Sequence, residues 1–200
     1  MGGHVLFMPQ YAQAYPHITM LRDPIERHLS LYYFALRIPH HPYHTLFNDA
    51  NMSIEKALPL LHDNGHIRYL VTGFERPVTR ADLEQAKVYL EHQFAAFGIL
   101  ERYNESLMLF KRTFDWPTPY YFIKHVAQNK PKQIADEVRQ VAAEHNALDV
   151  ELYTWAKALF EQRIAAQPPA FQREMQCFER MLSLCTNHQT IRRNLLLTVL

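Results

Sequence analysis

Apolar and polar positions along this chain mark out one early strand followed by a succession of helices. His17 to Leu21, His-Ile-Thr-Met-Leu, is a short run of β-compatible residues closed by Arg22-Asp23-Pro24, and it predicts a buried strand. Directly after it, Asp23 suits an N-cap, Pro24 the first helical position, where a missing N–H costs nothing, and Glu26 the third position of a capping-box-like start. Together they predict a helix from Pro24 to about Arg37. The turn formers Pro39, Pro42, Asn48, Asp49 and Asn51 predict a loop over Pro39 to Asn51, and Ser53 then opens a short helix disturbed by Pro59.

Thr79 to Gly98 has the most regular helical spacing in the chain. Leu83, Ala86, Leu90, Phe94 and Phe97 recur on one face, Thr79 is the N-cap with Asp82 three residues on, and Gly98 is the stop. Gly98 to Leu100 has room for a short strand, Asn104 to Phe114 reads as a helix, and the aromatic run Tyr120 to His125 reads as extended. After Lys130-Pro131, helices are predicted over about Gln133 to His145, Val150 to Gln162 and Phe171 to Leu184. No repeat or low-complexity tract interrupts the 200 residues, so a single domain over 1–200 is expected. A strand running into a helix through a polar turn is half of a βα unit, so the expected fold class is α/β, helix-rich with a small parallel sheet.

Composition narrows the function classes. The 21 basic and 20 acidic residues leave a formal charge of +1, which argues against broad electrostatic attraction to nucleic acid or to an anionic membrane. An anion site, if there is one, must be local. No apolar run reaches the roughly 20 residues of a bilayer span, and Met1 to Tyr15 lacks the charged start and apolar middle of a signal peptide, so the expectation is a cytoplasmic chain without a membrane span. Cys177 and Cys185 are the only cysteines and are expected in the core. His40, His41 and His44 do not have zinc-ligand spacing and read as solvated loop histidines, so no metal is expected.

Local anion chemistry is suggested at one place. Arg22 stands at the carboxyl end of the first strand, beside the start of a helix whose N–H groups and dipole favour negative charge. Its planar fork suits two phosphate oxygens, and Ser30, two helical turns on, offers a hydroxyl for a third. The same residues admit a purely structural reading, with Arg22 paired to Glu26 and Ser30 bonded back to the Glu26 carbonyl.

The segment Leu21-Arg-Asp-Pro-Ile-Glu-Arg-His-Leu-Ser-Leu-Tyr-Tyr-Phe34 resembles the 3′-phosphate-binding segment of the carbohydrate sulfotransferases, most closely the heparan sulfate 2-O-sulfotransferase-like branch. The Arg-Asp-Pro, Arg27, Ser30 and Tyr32-Tyr33-Phe34 all fall in register. The resemblance implies that Arg22 and Ser30 bind the 3′-phosphate of 3′-phosphoadenosine 5′-phosphosulfate (PAPS), the sulfate donor, with a carbohydrate hydroxyl as acceptor. Gly3-His4-Val5 is similar to a family Gly-His-Val, which implies His4 as the base that takes the acceptor proton, a role suited to a neutral imidazole. Phe97 to Leu107 and Asn146 to Tyr153 are similar to a returning strand with its helix and to a late helix, so the likeness spans roughly Gly3 to Gln162.

One family feature is missing. A Pro-Lys-x-Gly-type loop between a strand and a helix cradles the 5′-phosphosulfate in that family, and none of the five glycines here (2, 3, 65, 73 and 98) stands in such a context. The expectation is an incomplete P-loop-type sulfotransferase fold: the carboxyl-terminal portion of an enzyme, truncated or mis-started and inactive by itself. The alternative is a non-catalytic helical scaffold or interaction module, prone to self-association through an uncovered sheet face.

Overall fold

Five residues at the expected place, His17–Leu21, form the first strand, β1, and Phe94–Ile99 forms the second, β2. The computed structural model describes residues 6–49, 51–119, 121 and 133–197. β1 and β2 pair in parallel, with one register irregularity between His17 and Ile18, giving a helix-rich α/β arrangement around a two-stranded sheet. β2 is enclosed, with only Ala95 exposed, whereas in β1 only Leu21 is buried. The expected burial of β1 is therefore corrected: its residues line an open cleft.

Helix α1 spans Pro24–Arg37 as predicted, and Asp23 Oδ1 accepts from the Glu26 N–H at 3.0 Å. The return arm of the capping box is replaced. The Asp23 N–H donates to Glu101 Oε1 at 2.9 Å, and Glu26 turns instead to Arg139 at 2.9 Å.

Where a loop was expected, His44–Asp49 forms a short helix, α2. Phe47 is buried as its anchor, and the turn formers serve as bridges rather than breaks. Asn48 Nδ2 donates to the His44 carbonyl at 2.9 Å, and His44 Nδ1 donates to the Ala35 carbonyl at 3.0 Å. After α3, Ile54–Ala57, and a 3-10 turn over Leu58–Leu60, the chain makes a tight turn, α4, at Gly65–Ile67. That turn widens into a π turn over Arg68–Thr72.

Helix α5 covers Arg80–His92, capped by Asp82 Oδ2, which accepts from the Thr79 N–H at 2.8 Å and its hydroxyl at 2.7 Å. The expected continuation to Gly98 is corrected, because Phe94–Ile99 leaves the helix as β2. Phe94 and Phe97 fit helical spacing, but they also belong to a run with no polar position from Phe94 to Leu100, which is what a strand enclosed on both faces requires.

The remaining helices are α6 (Tyr103–Phe114), α7 (Asp136–His145), α8 (Ala147–Ala165) and α9 (Pro169–Leu197). One core joins β2, α5, α6, α8 and α9 through Leu83, Phe97, Met108, Leu152, Phe160 and Phe178. A second joins α1, α2, α3 and α7 through Leu29, Phe47, Ala57, Leu58 and Val138. Cys177 is exposed rather than in the core, because Phe171, Met175 and Phe178 share the buried face of α9 and position 177 lies off it. The extended run expected at Tyr120–His125 lies outside the described residues except for Tyr121, as do the side chains of Cys185 and of the tail from Leu195. Among the described residues no helix is long and apolar enough to cross a membrane.

Candidate anion-binding site

Beside β1 and α1 lies a cleft of about 1180 Å³, and Arg22 and Ser30 both line it. Every residue of β1 contributes to its wall, together with one face of α1 and the segment from His62 to Phe74. Among the described residues the lining includes Arg22, Arg27, His17, His41, His62 and His66, and no aspartate or glutamate. Aromatic rings of Phe7, Tyr11, Tyr43, Tyr69 and Phe74 make up much of the rest, so the two guanidinium groups stand beside apolar ring surface.

Two local devices position Arg22. Glu101, just past β2, accepts from the Asp23 N–H and, through Oε2, from the Tyr153 hydroxyl at 2.8 Å, so one carboxylate ties the turn after β1 to α8. Burial, reinforced by Glu101, pushes the Tyr153 phenol well above its ordinary range, which keeps it a donor. From the opposite side His66 Nε2 meets the Arg22 carbonyl at 2.8 Å. A carbonyl only accepts, so Nε2 carries the proton. Burial pushes this imidazole below its ordinary value, with Asp149 opposing and Arg27 adding to the shift, so near neutral pH it is an uncharged donor.

The structural alternatives open in the sequence are not the ones realised here. Glu26 is engaged with Arg139, and among the described residues neither the Arg22 guanidinium nor the Ser30 hydroxyl has a hydrogen-bond or ion-pair partner. His4 lies outside the described residues, so Arg22 and Ser30 are the expected site residues that the structure brings together. Of the loop histidines, His41 Nδ1 accepts from the Tyr43 N–H at 3.3 Å and His44 is bonded to Ala35. Among the described residues no group of three potential ligands could hold a metal ion.

Sequence reasoning passed over the wall opposite α1. Asn64-Gly65-His66-Ile67 is held from α8: Asp149 accepts from the His66 N–H at 2.7 Å and the Ile67 N–H at 3.0 Å, and Asn146 Oδ1 accepts from the Asn64 N–H at 2.9 Å. The Asn64-Gly65 dipeptide is a turn signal, but nothing local shows that its partners lie more than eighty residues away. No protein-family model matches the chain, and no curated protein matches it.

Proposed function

We propose that this chain is a sulfotransferase-family protein whose cleft binds the 3′-phosphate of PAPS, with a carbohydrate hydroxyl as the acceptor of the sulfuryl group in the complete reaction. One observation carries the reading. Arg22 and Ser30, the residues that the resemblance assigns to the 3′-phosphate, stand in one acid-free cleft with their side chains unengaged among the described residues.

The chemistry follows from donor type. The Arg22 fork binds two phosphate oxygens in a charge-assisted pair, Ser30 donates its hydroxyl proton to a third, and the aromatic lining accommodates the adenine ring. Such contacts hold and orient the donor without taking part in bond breaking. In this reading His4 removes the acceptor proton as the hydroxyl oxygen attacks sulfur and the 5′-phosphate leaves. The Pro-Lys-x-Gly-type loop that would stabilise charge on the departing phosphate is not in this sequence, so the reading assigns to these residues the 3′-phosphate half of the site.

Titration with 3′-phosphoadenosine 5′-phosphate (PAP) and with 5′-AMP tests it. Arg22→Ala should weaken PAP about 10- to 100-fold, the usual range for a lost charge-assisted pair, and leave 5′-AMP nearly unchanged. Equal losses for both ligands would remove the assignment.

A further inference from the structure

Helix α1 has two distinct faces. His28, Leu29, Tyr32 and Ala35 are buried, whereas Arg27, Ser30, Leu31 and Phe34, at i, i+3, i+4 and i+7, line the cleft. Arg27 therefore stands one helical turn from Ser30 on the same face. Its guanidinium packs directly against Gly65: a Cβ at that residue would come within 2.1 Å of Nη1 and 2.5 Å of both Cζ and Nη2. The guanidinium is also 5.8 Å from the centre of the Tyr69 ring.

Gly65 does not have a positive φ, so its backbone conformation is open to any residue, and the missing side chain is what matters. The space it leaves is filled by the Arg27 guanidinium. That group is half-buried and, among the described residues, has no carboxylate partner and faces a cleft whose lining includes none. Holding a cation in place without a counter-ion costs solvation, and an anion in the cleft would offset that cost.

We infer that Arg27 is a third anion-binding residue of this cleft. The Gly65–Tyr69 shelf holds its guanidinium so that it joins Arg22 and Ser30 on one phosphate group. This rests on the proposed nucleotide reading for the identity of the ligand, but not for the presence of an anion.

The test is calorimetric titration of the full chain with PAP and with inorganic pyrophosphate, with melting temperature as the check on folding. Arg27→Met should weaken both ligands at least tenfold, and Arg27→Lys should restore only part, because a compact ammonium cannot lie across the shelf. Gly65→Ala displaces the flexible end of Arg27 rather than backbone, so it should fold, bind both ligands more weakly, and add nothing further in an Arg27→Met background. Wild-type affinity in Arg27→Met, or a lower melting temperature without lost affinity, would make Arg27 a packing residue and overturn the inference. Binding of pyrophosphate through Arg27 without preference for PAP over 5′-AMP would instead refute the nucleotide reading alone. Binding of neither ligand by the wild type would refute both.

Discussion

His28 sits where α1, the 3-10 turn at Leu58 and α7 meet, with no exposed surface. Its Nε2–H donates to the Leu58 carbonyl at 3.0 Å, its buried Nδ1 has no hydrogen-bond partner among the described residues, and the His145 ring centre is 5.2 Å away. Burial is the main cause that lowers its pKa to about 4; His145 and Arg27 add to this, while the Leu58 hydrogen bond and Asp63 oppose it. The unfolded chain takes up this proton near pH 6.5, so the folded state loses stability as pH falls from about 6.5 and the loss levels off below about 4. A separation of that size corresponds to about 3 kcal/mol. Buried His66 shifts in the same direction. Melting temperatures from pH 7 to pH 4 should therefore fall, and His28→Gln, which keeps a donor for Leu58 but cannot titrate, should flatten part of the slope. An unchanged slope would place the acid sensitivity elsewhere.

At the scale of elements, α1 and its cap were legible because their signals are local: Asp23, Pro24 and the apolar spacing that follows lie within one stretch. The end of α5 was not, since Phe94 and Phe97 fit helical spacing and also fall in an unbroken apolar run that suits a strand enclosed on both faces, and what decides between them is the parallel pairing with β1, a contact between distant segments. Gly98 likewise has the sequence position of a helix stop, whereas its use is a close approach. A Cβ there would come within 2.6 Å of Ser106 Cβ and 2.8 Å of Met20 Sδ. The Met20 side chain can turn aside, but Ser106 Cβ is fixed to α6. Its Oγ accepts from the Ile99 N–H at 2.9 Å and so holds α6 to the strand. Gly98→Ala should lower stability by about 1–3 kcal/mol through overpacking. Ser106→Ala should cost a similar amount, about 1–3 kcal/mol, because it leaves the buried Ile99 N–H unpaired. Urea denaturation measures both, and a neutral Gly98→Ala would show that β2 and α6 can separate without cost.

Over the whole molecule, the cleft depends on a buried network reaching through it from α8. Asp149 and Asn146 hold the Asn64–Ile67 turn, Asn64 Oδ1 accepts the Asp149 N–H at 3.0 Å in return, and His66 passes the constraint on to the Arg22 carbonyl. The shelf under Arg27 and the carbonyl of Arg22 are thus positioned by residues that do not line the cleft. Sequence patterning leaves Asn146 and Asp149 between two predicted helices, and only the family resemblance sets them in a late helix, because a cap supplied from more than eighty residues away leaves no periodic trace. Asp149→Asn keeps the side-chain volume but turns an amide toward one of two backbone N–H groups. It should cost about 3 kcal/mol, the range for hydrogen bonds to a charged group. If the network positions the cleft, this variant should also bind PAP more weakly even under conditions where it is fully folded, because Gly65 and Arg22 lose their common reference. Lower stability with wild-type affinity in the folded protein would mean that β1 and Glu101 suffice to place Arg22, and that α8 supports the fold without setting the site.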